Sequence, residues 1–373
     1  MSSRLVVRLR SLFQLDGWLF LSMVPLILFG TAAIYSVDLS RGGNFSTFKK
    51  HLIIVALGLL VFFVVSAMDY TVFRATAVWW YVAAVVLLVL VLLFGETIRG
   101  TQGWFRMGPL SLQPAEFAKL ALVFMLAYFF SRRYRYFRAS ATFVGSLLFT
   151  FILQFFILMQ PDLGSALLLG LGWLGVMLFV GTKKRYWAVL LVICMVASAG
   201  AWSFLLQDYQ KNRILTFFDS ERDPLGAGYN IRQSIIAIGA GAWKGRGLGF
   251  GSQSQLKFLP EAQSDFVFAV IGEELGFVGA LALVVSFGLL FLRILTLLPR
   301  APDDFTGILL TGICVLLFAQ FLVNVGGTLG MVPVTGVPLP LVSVGGSSFL
   351  ITMIMLGVVQ SIYRNAALAQ RHL

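Results

Sequence analysis

The sequence predicts an all-α polytopic membrane protein of about ten transmembrane helices, and three observations carry that reading. Of 373 residues, 59% are hydrophobic and 12% charged, against about 25% charged in ordinary soluble domains. Mean hydropathy is +0.90. Apolar runs close to the ~20 residues that a bilayer crossing requires recur along almost the whole length, beginning with "WLFLSMVPLILFGTAAIYSV". In lipid the backbone must satisfy its own hydrogen bonds, so such runs fold as helices.

Taken in order, the runs place spans at 17–37, 51–68, 76–94, 115–131, 140–159, 163–180, 186–206, 266–292, 305–325 and 341–362. The first follows Arg4, Arg8 and Arg10, which imitate a signal peptide's basic start. It is too long for one and more spans follow, so it reads as an uncleaved helix. An even number of spans puts both termini on one side, and the positive-inside rule chooses the cytoplasm. With that orientation the inside segments carry fifteen Lys and Arg, led by "SRRYRYFR" and "TKKRY", and the two short outside segments five. One long extracytoplasmic loop, 207–265 between helices 7 and 8, carries seven more, but long loops translocate largely regardless of charge. The chain reads as one integral-membrane domain, 1–373, with no internal repeat.

The same accounting excludes several function classes. A net charge of +12 suggests nucleic acid, but topology and anionic headgroups explain most of it, so no nucleic-acid partner is expected. Cys194 and Cys314 sit mid-span and read as small apolar core residues. His51 and His372 flank no Cys or acidic cluster, which leaves a zinc site without support.

Charges inside spans are costly, about 2.5–3.5 kcal/mol each at a helix centre on insertion scales. "SLQPAEFAKLALVF" opens a helix with Pro114 in its first turn, where a missing N–H does no harm. It then places Glu116 and Lys119 on one face, close enough to pair. That pair reads equally as a device that eases insertion and as part of a polar cavity. In "MQPDLGSALL" a turn separates two spans, and Asp162 there reads first as a helix cap.

The long loop contains glycines 239, 241, 245, 247, 249 and 251. No Walker pattern is present, so a flexible loop is the default, although its backbone N–H groups with Lys244 and Arg246 suit a pyrophosphate. "YNIRQSIIAIGA" has the pattern of a short amphipathic helix on the bilayer surface. Beyond it, "LPEAQSDFVFAVIGEELG" gathers four of the chain's 16 acidic residues where an apolar run begins. Asp265 falls at the membrane entry, which suits an N-cap. By helix geometry Glu273 lies about 80° from it and Glu274 nearly opposite. The three acids therefore cannot line one site, and a cation-binding pair or a base is left to Asp265, with Glu273 one to two turns deeper.

The segments "GWFRMGPLSLQPAEFAK", "QPDLGSA", "NRILTFFDSERDPLGAGYNIRQS", "KGRGLGFGSQSQLKFLPEAQSDFVFAVIGEELG" and "NVGGTLGMVPVTGVPLPLVSVGGSS", in this order, resemble the SEDS family (shape, elongation, division, sporulation). The short termini and "DPLGAGYNIRQS" are closer to its elongation branch than to its division branch. The resemblance covers nearly the whole chain. It implies a peptidoglycan glycosyltransferase that polymerises lipid II at the outer face of the bacterial cytoplasmic membrane. Asp265 matches the family's essential acid, Trp104 a Trp of the first large outside segment, and Glu116 with Lys119 a charged pair of the central cavity. Asp162 and Arg213 fall in matching motifs.

An inverting transfer from a lipid pyrophosphate needs a base for the acceptor hydroxyl and positive charge for the leaving group. Asp265 suits the first need. Arg213, Lys244, Arg246 or a divalent cation at Asp265 (Mg2+ or Mn2+) suits the second. The implied partners are lipid II, undecaprenyl-pyrophosphate-linked glycan, a class B penicillin-binding protein as transpeptidase, and other membrane proteins of the elongation complex. A precursor flippase and a scaffold without catalysis are the competing readings. The first expects midplane polar groups and repeats; the second leaves Asp265 unexplained.

Overall fold

The computed structural model describes residues 15–40, 45–98, 100–107, 110–133, 139–200, 202–203, 211, 215, 227–259 and 261–370. Among them the chain runs α1 (Gly17–Leu39), α2 (Ser46–Ala67), α3 (Tyr70–Phe94), β1 (Glu96–Ile98), β2 (Thr101–Met107), β3 (Leu110–Leu112), α4 (Pro114–Arg133), α5 (Ala139–Met159), α6 (Leu163–Val180) and α7 (Lys184–Gly200). After the long loop begins, α8 (Ala227–Ala240), α9 (Ser252–Gln255), α10 (Val267–Leu297), α11 (Asp304–Thr328) and α12 (Gly346–Gln370) follow. Nine of the described helices are long and apolar enough to cross a membrane. The seventh expected span, 186–206, corresponds to α7, whose 17 residues stop at Gly200. Most of the expected continuation to residue 206 lies outside the described residues.

Three helices form the interior. In α4, α11 and α12, 83%, 72% and 78% of the apolar window is buried, against 28% in α2, α3 and α5. α4 packs on α3, α6 and α11; α2 packs on α12, and α1 on α10. The least hydropathic of the nine spans, α4 and α12, are also the most enclosed. They carry buried Glu116, Lys119, Thr352, Gln360 and Arg364, groups that lipid would not tolerate at the periphery. The outer helices turn Trp79, Leu93 and Phe94 outward instead.

Helix ends follow their capping residues more closely than their apolar runs. The Asp16 carboxylate accepts from the N–H groups of Trp18 and Leu19 to start α1, and Asp303 with Thr306 forms a capping box on α11. α2 begins five residues before its expected start, and its own N-cap, Phe45, makes no side-chain bond. The missing cap comes from α1: Asp38 Oδ2 accepts from the Phe48 N–H at 2.8 Å.

The two ends of the bundle are distinguishable. At one, Asp16 pairs with Arg293 at 2.6 Å, its N–H donates to Gln360 Oε1, and Arg364 donates to the Met68 carbonyl. The first and last described helices thus have their terminal ends together, as an even number of crossings requires. The other end collects Asp38, the starts of α2, α4, α10 and α12, and the sheet.

That sheet was not anticipated in a sequence read as all-α. β1–β2–β3 is antiparallel, with Glu96 opposite Trp104 and Phe105 opposite Leu112. Gly100, at φ +81°, makes the first turn, and "TQGWFRM" directly after it carries the adjacent aromatics Trp104 and Phe105 that favour a strand.

α10 is broken at Gly276 (φ +67°, ψ −164°), and the glycine-rich segment after α8 braces the break. Arg246 and Gly247 N–H donate to the carbonyls of Glu273 and Glu274, and Phe277 and Val278 N–H donate to those of Ala242 and Trp243. A kinked helix frees backbone groups that must be satisfied within protein. A β-carbon on Gly276 would stand 2.2 Å from the Gly245 nitrogen, so no other residue fits.

Candidate active site

At the end opposite the Asp16–Arg293 pair lies a cavity of about 430 Å³. Its walls come from five places: Thr47 of α2, Ile98 and Trp104 of the sheet, Gln113 just ahead of α4, the turn 261–265, and the segment from Gly336 to Ser348.

The turn carrying Asp265 is held from several sides. The N–H groups of Ser264, Asp265 and Phe266 donate to the Glu261 carbonyl, with Glu261 itself in the left-handed region at φ +52°. The Asp265 carbonyl accepts from Asn324 Nδ2 at 3.1 Å. Ser343 Oγ donates to the Ser264 carbonyl and the Val344 N–H to the Gln263 carbonyl. Asn324 also donates to the Val337 carbonyl at 2.8 Å, joining the two cavity walls. Gly336, at φ +75°, brings bare backbone toward the carboxylate; a β-carbon there would lie 3.9 Å from Asp265 Oδ2.

The N-cap reading of Asp265 is corrected. The residue at the N-cap of α10 is Phe266, without a side-chain bond, and Asp265 stands one position earlier. Expectation missed this because the 261–266 turn ends in a non-helical residue that composition does not mark. The acid pair with Glu273 is corrected as well. Glu273 is fully buried and accepts from the N–H groups of Gln253 and Ser254 at 2.7 and 3.0 Å, which caps the short α9. Glu274 accepts from Ser36, Ser254 and Gln255 side chains. Two of the four clustered acids therefore tie the loop to α10, while Asp265 and Glu261 line the cavity.

Trp104, half-buried on β2, lines the same cavity as the Asp265 turn. Asp162 caps α6 by accepting from the Ser165 N–H at 2.9 Å and also receives Gln113 Nε2 at 3.2 Å, so it supports the cavity wall from behind. Glu116 and Lys119 form a buried pair with Nζ 2.7 Å from Oε2, within two turns of Gln113, and neither lines the cavity. The contact lies off the hydrogen-bond direction, since Nζ has no hydrogen-bond acceptor among the described residues. It is an ion pair more than a directed bond.

Lys244 and Arg246 are exposed on the brace and do not line the cavity. The phosphate-cradle reading of that loop fails for its backbone: the N–H groups of 245, 246, 247, 249 and 250 already donate to Gly241, Glu273, Glu274, Ser36 and Gly247. Nor is this part of the loop free. Arg213 lies outside the described residues. No group of three or more His, Cys, Asp and Glu stands close enough to hold a metal ion among the described residues. Among the described residues, the only acidic ones that line the cavity are Asp265 and Glu261.

Sequence reading passed over Gln263, Gln113, Asn324 and Asp38. Asn324 in "FLVNVGG" and Asp38 in "YSVDLS" are polar residues at the ends of apolar runs, and that signal was available.

Comparison with known proteins agrees with the geometry. A family model described as cell cycle protein (FtsW, RodA, SpoVE) matches residues 13–368. The chain is 37% identical over 350 residues to the peptidoglycan glycosyltransferase MrdB of Escherichia coli K12, covering 94% of each. It is 36% identical to the probable peptidoglycan glycosyltransferase FtsW of Haemophilus influenzae, over 92% of this chain and 89% of that one. Among solved structures, a chain from a peptidoglycan synthase complex that coordinates polymerization and crosslinking superposes with TM-score 0.80 at 31% identity, over 95% of this chain and 99% of that one. The rod shape determining protein RodA of Thermus thermophilus gives 0.69 at 28%, over 95% and 98%. The chain is a multi-pass membrane protein and belongs to the FtsW, RodA and SpoVE family, the SEDS family.

Proposed function

We infer that the chain is a peptidoglycan glycosyltransferase of the bacterial cytoplasmic membrane, extending glycan strands from lipid II during elongation. The observation that carries this is that Asp265, close to Gly336, shares with Trp104 a cavity at one end of the bundle, in a chain so similar to proteins named for that activity. With both termini cytoplasmic, that cavity opens on the outer face, where the loop 207–265 also lies.

The chemistry fits a single inverting displacement. The acceptor 4-hydroxyl attacks the donor anomeric carbon, the new C1–O4 bond forms as the C1–O bond to pyrophosphate breaks, and the lipid pyrophosphate leaves with the electron pair. The Asp265 carboxylate takes the hydroxyl proton. Trp104 offers a stacking face for a sugar. Asp162 fixes Gln113, and the buried Glu116–Lys119 pair lies within two turns of Gln113 along α4, a polar group behind the lining residues. A divalent cation, held by Asp265 and Glu261, would supply positive charge to the leaving pyrophosphate. Of the loop cations expected to serve the same need, Arg213 is kept for it, whereas Lys244 and Arg246 do not line the cavity. Transpeptidation falls to a class B penicillin-binding protein, a partner supported by the likeness to a chain of a synthase complex.

The test is purified protein with labelled lipid II. The expected product is linear glycan from the natural sequence and none from Asp265→Asn, which keeps size but removes the charge. Monomer translocated without polymer, or wild-type polymerisation by Asp265→Asn, overturns the reading.

A further inference from the structure

Within the cavity, Gln263 has its amide orientation fixed by a buried carboxylate. Gln263 Nε2 donates to Asp38 Oδ1 at 2.9 Å, and both residues are almost fully buried. Asp38 has its second oxygen engaged by the Phe48 N–H at the start of α2, a helix end that has no side-chain cap of its own. The start of α2 favours negative charge there, while the end of α1, on which Asp38 sits, opposes it. An ionised carboxylate only accepts, so the NH2 side of the Gln263 amide must face Asp38. Gln263 Oε1 is left on the other side of the amide. Among the described residues no donor meets it, and it is not sealed from solvent, while Gln263 lines the cavity two residues from Asp265. The backbone of Gln263 is fixed too, because its carbonyl accepts from the Val344 N–H at 2.8 Å.

We propose that Gln263 Oε1 is a substrate-orienting acceptor that takes a hydrogen bond from a hydroxyl or acetamido N–H of the saccharide bound beside Asp265, and that Asp38 is the positioning residue that sets its direction. This rests on the glycosyltransferase reading. The reacting hydroxyl must be presented to Asp265 in one orientation, and an acceptor of fixed direction two residues away selects one face of the sugar. With an amide in place of the Asp38 carboxylate, the Gln263 amide could turn over and offer a donor instead.

Four variants test it, each assayed beside the natural sequence for polymerisation of lipid II and for affinity toward labelled lipid II in nanodiscs. Gln263→Met removes the acceptor and Asp38→Asn frees the amide to turn. Each is expected to lower kcat/KM about five- to ten-fold, the size of one neutral hydrogen bond. Gln263→Glu sets two carboxylates against each other and falls further. Combining Asp38→Asn with Gln263→Glu restores the pair in reverse. The amide at position 38 then donates to one oxygen of the carboxylate at position 263, the other oxygen accepts from the sugar, and activity returns toward the natural level. Asn caps helices about as well as Asp, so a purely capping role for Asp38 predicts that Asp38→Asn is silent. Wild-type kcat/KM in Gln263→Met, or a double variant no better than the poorer single, overturns the proposal. If the natural sequence makes no glycan, the polymerase reading falls, and the order of the binding affinities still decides Gln263.

Discussion

Asp265 differs from the other acids of its cluster through the partners each side chain meets. Glu273 and Glu274 are enclosed by N–H, hydroxyl and amide donors of the protein, whereas Asp265 lines a cavity together with Trp104. A carboxylate acting on a substrate is sensitive to position, so Asp265→Glu, which advances the charge by about 1 Å, is expected to lose roughly 10²-fold in rate; initial polymerisation rates measure it. Lys119 has a different vulnerability. Its ammonium is 1% exposed and Glu116 is its ion-pair partner. Glu116→Ala strands that charge and is expected to destabilise by about 3–5 kcal/mol. Removing both charges with Glu116→Ala and Lys119→Met costs less, and thermal melting in detergent of the two variants reads the difference. Additive losses would mean the two residues do not interact.

Among the elements, broken α10 with its brace behaves as one unit. Gly241, Gly245 and Gly276 let two backbones approach so closely that carbonyls of one accept from N–H groups of the other. Gly276→Ala meets both a left-handed φ and a clash with backbone, and backbone cannot move aside as a long side chain can. The expected result is loss of the four cross-braces, read as faster hydrogen exchange at Arg246, Gly247, Phe277 and Val278, with a lower melting midpoint. Glu273→Gln should act more weakly, because the amide oxygen still accepts from one of the two N–H groups, of Gln253 or Ser254, and only the other loses its acceptor. Protection unchanged in Gly276→Ala would show that the brace is not what holds the kink.

For the molecule as a whole, the arrangement concentrates polar backbone at one end and a tight ionic knot at the other. The Asp16–Arg293 pair with Gln360 fixes α1, α10 and α12 where the described termini meet. The cavity end is built from loops, strands and helix starts drawn from five parts of the chain. Such an end can respond to a protein docked on it. Polymerisation by the isolated chain is therefore expected to be weak and to rise when a class B penicillin-binding protein is added under matched lipid conditions. Equal rates with and without that partner would remove the dependence.

The sequence by itself determined the membrane class, the approximate number and position of the spans, the Glu116–Lys119 pairing and the Asp162 cap. Each of these depends on residues within a few positions of one another, where apolar run length, i,i+3 spacing and capping chemistry are local properties. It also marked Asp265 as exceptional. Only the tertiary structure decided which acids face the cavity, because Glu273 is committed by the N–H groups of α9, some twenty residues earlier. Tertiary structure likewise supplied the cap of α2 from Asp38, the aim of Gln263, and the commitment of the glycine-rich N–H groups to a broken helix. The physical reason is that a polar group's role is set by the partner that satisfies it, and here those partners come from distant parts of the chain.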